Sequence, residues 1–258
     1  MDRRMGCATL LWIISGASWG QDAWSGNLAV ASQYVSRGFQ QSWGKPAWQA
    51  GLEFEMPHGW YAGSWLSTIS PYAIEGGYVE MDLYAGKRGN IGDVGYHATL
   101  YGYVYPGARV AVAKTRYNYS EFVVGADWKN WSLVYSLTVS RDYFGDNSQT
   151  LGVGTRSHSR GSGYLELARR LELGKGFSLT VHYGRQRINH FAEYNWQDAG
   201  ATLSRNIAGF DVAIAYGRAR NAHGVYRRVT TGVPDENGHL HFSDPGSGTW
   251  YFTMGHSF

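Results

Sequence analysis

The sequence predicts an all-β fold: a transmembrane, antiparallel, up-and-down β-barrel of twelve strands in one domain. Three observations predict it. Apolar and polar residues alternate with period two over segments of eight to ten residues. Short and long connections alternate along the chain. The last strand is aromatic, alternating, and ends on Phe258.

Composition removes the competing classes. The chain has 258 residues, of which 16% are aromatic and only 17% charged, the opposite of a disordered segment. Its single cysteine cannot build a disulfide framework. No apolar run reaches the roughly 18 residues of a membrane helix. A formal charge of +3 gives no concentrated basic face, so no nucleic-acid partner is expected. Negative mean hydropathy is compatible with a membrane barrel, because alternating strands average out near soluble values.

Taken in order, residues 1–20 read as a secretory signal peptide. Arg3 and Arg4 precede an apolar run from 7 to 14, and Ser18-x-Gly20 offers a small-residue cleavage site. Export would remove Cys7 and leave one barrel domain over 21–258. Strand candidates then fall near 26–37, 46–56, 60–69, 78–87, 93–104, 118–128, 131–141, 163–173, 177–187, 196–206, 210–220 and 249–258. The ninth shows the pattern: Phe177, Leu179, Val181 and Tyr183 alternate with Ser178, Thr180, His182 and Gly184. Such a period is a strand with unlike faces.

The tight links are Pro57-His58-Gly59, 88–92, Lys129-Asn130, Gly174-Lys175-Gly176 and Ile207-Ala208-Gly209; the others are mostly long. Outer-membrane barrels place short turns in the periplasm and long loops outside. An even strand count returns both termini to the periplasmic side. Trp60, Trp128, Trp131, Phe177 and Phe210 flank the tight links, while Tyr103, Tyr117, Tyr119, Tyr143, Tyr194, Trp196 and Trp250 lie near the long ones. The two groups are expected to form interfacial girdles. Phe258 ending such a strand matches the signal read by the barrel-assembly machinery, although His256 stands where an apolar residue is more usual.

Several segments also resemble a known family. Tyr34-Val-Ser-Arg37-Gly-Phe-Gln-Gln-Ser42, Pro46-Ala-Trp-Gln-Ala-Gly51, Gly59-Trp-Tyr-Ala-Gly-Ser-Trp65, Glu80-Met-Asp-Leu-Tyr-Ala-Gly86 and Tyr103-Val-Tyr-Pro-Gly107 are similar to the TorF family of proteobacterial porins. The resemblance implies an outer-membrane barrel with a porin role, and carries over no catalytic residue or cofactor.

If the apolar face meets lipid, the other face lines the lumen. The candidates for lining and selectivity are Arg37, Glu53, Glu55, Glu80, Asp82, His97, Glu121, Asp127, Glu166, Arg170 and His182, joined by Glu172, Asp198 and Asp211. Acidic rings favour cations, and Glu80 with Asp82 is the preferred constriction. Interior charges that pair with one another would instead form a polar plug. Lys45, Arg109, Lys114, Arg116, Arg156, Arg160, Arg227 and Arg228 would draw anions to the mouth, so the sign of selectivity stays open here. Arg185, Arg187, Arg218 and Arg220 have lipid-face parity at the loop ends of their strands, where lipopolysaccharide phosphates are the expected partners. Arg169 shares a face with Leu165, Leu167 and Leu171 near mid-strand, which suggests a bulge or a shifted register.

The segment 221–248 is expected to carry the last hairpin above the membrane, turning at Pro234-Asp-Glu-Asn-Gly238. His239 and His241 near Asp235 have no recognised metal-ligand spacing, and no metal or other cofactor is expected. Neither a His-Glu-x-x-His helix nor a phosphate loop is present, so an enzyme is not expected. The reading is a diffusion channel for small solutes or ions. A surface-binding or adhesion barrel with an occluded lumen, or a lipid-modifying enzyme, is the alternative.

Overall fold

The computed structural model describes residues 23–258. The expected signal peptide and Cys7 lie outside them. Among the described residues, twelve strands close into one antiparallel barrel. They are β1 (Ala23–Ala31), β2 (Ala47–Glu55), β3 (Trp60–Thr68), β4 (Val79–Ile91), β5 (Val94–Val104), β6 (Tyr119–Trp128), β7 (Trp131–Thr138), β8 (Gly163–Gly174), β9 (Phe177–Arg187), β10 (Trp196–Ile207), β11 (Phe210–Asn221) and β12 (Thr249–Ser257). Each pairs with its sequence neighbour, and β1 closes the ring against β12.

Closure is completed by the chain end. The Gly26 amide donates to the Phe258 carbonyl at 2.8 Å, and the Phe258 amide returns to Gly26 at 2.9 Å. The Phe258 ring lies where a side chain on residue 26 would stand.

One rim carries tight turns. Lys175 with Gly176, and Ala208 with Gly209, have positive φ at both central positions, the twist-matched geometry of two-residue hairpins. The opposite rim carries the loops 32–46, 69–78, 105–118, 139–162, 188–195 and 222–248, called here the first to the sixth. The outer face is an apolar belt that includes Leu28, Leu52, Leu66, Leu83, Leu100, Phe122, Leu133, Leu167, Ile214 and Phe252, all exposed. Trp60, Trp128, Trp131 and Phe210 ring it at the turn end.

The structure corrects four expectations. The first strand ends at Ala31 and does not reach Arg37, because the chain leaves the wall and folds inward. β4 runs on to Ile91, so 88–92 is not a link and the turn shrinks to Gly92-Asp93. Of the expected loop-end girdle, Trp250 stands exposed on the exterior, whereas Tyr143 and Trp196 are buried and Tyr103 and Tyr119 share the inward parity of Thr99 and Glu121. Arg169 needs neither bulge nor register shift: it pairs with Trp131, the first residue of β7, so it sits level with a turn. There its guanidinium lies 4.9 Å from the Trp131 ring.

His256 is likewise at the turn rim, its Nδ1 2.9 Å from the Gly209 carbonyl oxygen. The sixth loop folds as the expected ribbon, bridged at Val229–Ser243 and Pro234–Leu240. It leans across the mouth, where the Thr231 hydroxyl donates to the Pro71 carbonyl at 2.9 Å.

Candidate functional site: a lumen entered by the first loop

Inward parity places Glu53, Glu55, Glu80, Asp82, His97, Glu121, Asp127, Glu166, Arg170 and His182 on the lumen side of the wall. They fall into separate groups. Near the turn end, Glu53 is buried, pairs with Arg88 and accepts from the Tyr84 hydroxyl at 3.1 Å. Arg88 also stands 3.9 Å from Glu55 and over the Tyr61 ring. His97 and Asp127 lie on neighbouring strands, with Gly125 leaving room for the imidazole. Arg170 pairs locally with Glu172 at 2.8 Å on the exposed rim.

Across the barrel, the Tyr164 hydroxyl reaches Glu166 and Asp198, and His182 Nε2 stands 3.1 Å from Asp198. Gly184 is required here, since a Cβ would meet the Tyr164 hydroxyl at 2.0 Å and Asp198 at 2.5 Å.

The loop end of the lumen is filled from outside the wall. Val35–Ser36 and Phe39–Gln40 form a miniature hairpin whose two-residue turn is Arg37-Gly38. Both turn residues have positive φ, 46° and 78°. This tip dips into the bore and touches the far wall: a Cβ at Gly38 would lie 2.7 Å from the Asp198 Cβ and 2.9 Å from the Ala219 Cβ. Only glycine tolerates both that φ and that approach. Ala213, Ala215, Gly217 and Ala219 make the receiving wall of β11 thin enough to seat the hairpin. Tyr34 packs on Trp65 of β3 at 5.4 Å between centroids, and Phe39 packs edge-on against Trp196 at 5.0 Å and Tyr226 at 4.9 Å. Pairs of this kind contribute about 0.5–1.5 kcal/mol each beyond area burial.

At the tip, the Arg37 guanidinium makes a bidentate pair with Glu121. Nη1 donates to Oε1 at 3.0 Å and Nη2 to Oε2 at 2.6 Å. Nη1 also donates to Gln186 Oε1 at 3.1 Å and lies 3.5 Å from the Tyr143 hydroxyl. The Tyr164 ring lies 4.4 Å from the guanidinium carbon, and Trp196 Nε1 donates to the Arg37 carbonyl at 3.2 Å. Strands β6, β8 and β9 are thus joined through one side chain of the first loop, and β10 through the carbonyl of the same residue. Glu80 and Asp82 are buried on β4 beside this clamp, where Glu80 accepts from the Tyr105 hydroxyl at 2.9 Å. The inward residues that sequence reasoning missed as lumen groups are Arg88, assigned to a turn, and Tyr84, Tyr164 and Gln186, whose parity already placed them there.

The fourth loop supplies Tyr143 and, three residues on, Asp146. Burial, reinforced by the charge of Asp142, pushes the Asp146 carboxyl up to about 8. A carboxyl raised on folding stabilises the loop while protonated, so that contribution is complete below the usual 3.8 and is lost as pH rises through about 8. Thermal melting of wild type and Asp146→Asn is therefore expected to coincide at acid pH. The variant should become progressively more stable than wild type between about pH 4 and 8, with a constant gap above that. Parallel pH profiles would show that Asp146 ionises as a hydrated carboxyl does in the unfolded chain.

On the exterior, Arg185, Arg187, Arg218 and Arg220 project, exposed, from the loop ends of β9 and β11. Near the tip of the sixth loop, His241 Nε2 lies 3.1 Å from Asp235 and His239 Nδ1 3.7 Å from it.

Two solved structures of the KdgM porin, one of them in complex with disordered oligogalacturonate, share this barrel. Each aligns with TM-score 0.52 at 7% identity, covering 91% of this chain and 99% of the other. A NanC porin structure aligns with TM-score 0.49 at 10% identity, covering 90% of this chain and 98% of the other. No curated protein matches the sequence. Residues 17–258 match the model of a bacterial protein family of unknown function, Gcw_chp, and the chain belongs to that family.

Proposed function

We propose that this protein is an outer-membrane channel for small solutes, held shut at rest by its first loop. The observation that carries the reading is the Arg37 clamp: a residue of the first loop, and not of the barrel wall, bridges Glu121 of β6 and Gln186 of β9 inside the bore. The apolar belt with its aromatic rim supports a membrane setting, with the tight turns periplasmic and the loops outside. The KdgM fold and the TorF resemblance support the porin role. Export by the expected signal peptide, assembly through the strand ending at Phe258, and lipopolysaccharide contact by Arg185, Arg187, Arg218 and Arg220 complete the proposal. The reading is of a passive conduit without catalysis.

The solute preference we propose is cationic. Glu53, Glu80, Asp82, Glu121, Glu166 and Asp198 are all buried toward the lumen, against Arg37 and Arg88. That interior is ill suited to an acidic sugar polymer such as the ligand of the KdgM complex.

Single-channel recording of the refolded barrel in a planar bilayer tests the reading. Brief openings are expected, with a reversal potential on the cation side under a salt gradient. Glu80→Gln with Asp82→Asn should move that potential toward zero. Anion selectivity would overturn the charge assignment. A folded barrel that is silent both as wild type and with Arg37 removed would favour the occluded surface barrel.

A further inference from the structure

We infer that the pocket around the Arg37 side chain is a recognition station for guanidino solutes, which the protein's own arginine occupies in the closed state. The inference rests on the channel reading and names its solute class.

The pocket meets three guanidinium N–H groups and one face of the plane. Glu121 offers both oxygens to two N–H groups, at 3.0 and 2.6 Å, the planar fork that an ammonium cannot match. Gln186 adds a third acceptor at 3.1 Å, and the Tyr164 ring supplies an aromatic face at 4.4 Å. Glu121 and Gln186 are fully buried, and both belong to barrel strands, as does Tyr164. Arg37, by contrast, arrives on a two-residue turn with no wall strand beneath it. Withdrawal of the hairpin removes the guanidinium and leaves its receptor standing.

A second observation points the same way. Asp82, 2% exposed, lies within electrostatic reach of Arg37 and Glu121, and its Oδ1 has no hydrogen-bond partner among the described residues. With Glu80 beside it, the station holds three carboxyl side chains to the single guanidinium of Arg37. A buried acceptor of that kind calls for a donor, which an incoming cation provides. A solute guanidinium that exchanges with Arg37 would couple its own entry to opening.

Chemical rescue tests this. Arg37→Ala barrels in detergent are melted with guanidinium chloride or agmatine at low-millimolar, non-denaturing concentration, against equal sodium chloride and n-butylamine. The melting temperature is expected to rise by a few degrees with the guanidino compounds alone, because a ligand that binds only the folded state stabilises it. The rise should vanish in Arg37→Ala with Glu121→Gln, and be absent in wild type. Stabilisation by butylamine as well, or its persistence without Glu121, would overturn the inference. If Arg37→Ala does not fold, Arg37→Gln serves in its place. A variant that conducts but ignores guanidino compounds sinks the station and spares the channel; one stabilised by them yet electrically silent does the reverse.

Discussion

Arg37→Ala is expected to convert a mostly closed barrel into a mostly open one. Glu121 is fully buried and Arg37 only 11% exposed, so their bidentate pair is shielded from water. Removing one member of a buried pair typically costs about 3–5 kcal/mol, because the remaining charge stays desolvated without a partner. Here that cost falls on the closed state alone: once the hairpin leaves, Glu121 regains water. Even the lower figure, about 3 kcal/mol, shifts the closed-to-open ratio roughly a hundredfold. Bilayer recording should show long openings replacing rare ones. Arg37→Lys should fall between, since an ammonium keeps the charge but loses the fork. A folded Arg37→Ala barrel with unchanged open probability would mean that other loop contacts hold the bore. The Gln40 amide, which donates to the Pro245 carbonyl at 2.9 Å, and Tyr34 on Trp65 would be the next to test.

The clamp also explains why the loops beyond it are so tightly interlinked. Tyr143 ties the fourth loop to Arg37, Phe39 packs on Tyr226 of the sixth, and the sixth reaches the second through Thr231 and Pro71. A change in one loop therefore reaches the tip through packed side chains, which a flexible fringe would not allow. The acid-to-alkaline loosening expected at Asp146 would act on the gate by this route.

The barrel was legible in the sequence because an apolar outer face and a polar interior force period-two alternation, and most of the twelve strands carry enough of it. Two places resisted. At β1, Ala29 and Ala31 face inward, so apolar character no longer separates the faces, and the sequence pattern does not mark where the strand ends and the hairpin begins. The signal for that hairpin is Arg37-Gly38 between two short extended pairs, weaker than Asn-Gly or Asp-Gly because arginine rarely takes positive φ. The misassigned girdle had a different cause. Trp196 shares parity with Asp198, and Tyr119 with Glu121, so parity alone would have turned them inward. Proximity to long loops suggested lipid, but inward aromatics are what a folded-in loop packs against. The lumen acids were readable one by one; their grouping depended on which loop entered the bore.

Arg88→Ala is expected to lower stability without opening the gate, and the contrast with Arg37 is what gives both predictions their force. Glu53 has a side chain 5% exposed and is held by Arg88 and by the Tyr84 hydroxyl at 3.1 Å. Truncating Arg88 leaves that carboxylate with a single neutral donor and strips the cation from the Tyr61 face. The loss should lie near the lower end of the buried-pair range, about 3 kcal/mol, because the Arg88 side chain is itself 32% exposed and water replaces part of it. Adding Glu53→Gln removes the orphaned charge, so the double variant should recover most of the loss, and the cycle should be strongly non-additive. Reversible urea unfolding of the four barrels in detergent measures this. Additive losses would mean that the two side chains are hydrated independently. Both residues belong to β2 and β4, which stay in the wall whether the hairpin is in or out. Their energy is common to the closed and open states and cancels from the gating equilibrium, whereas that of Arg37 is present in only one of them.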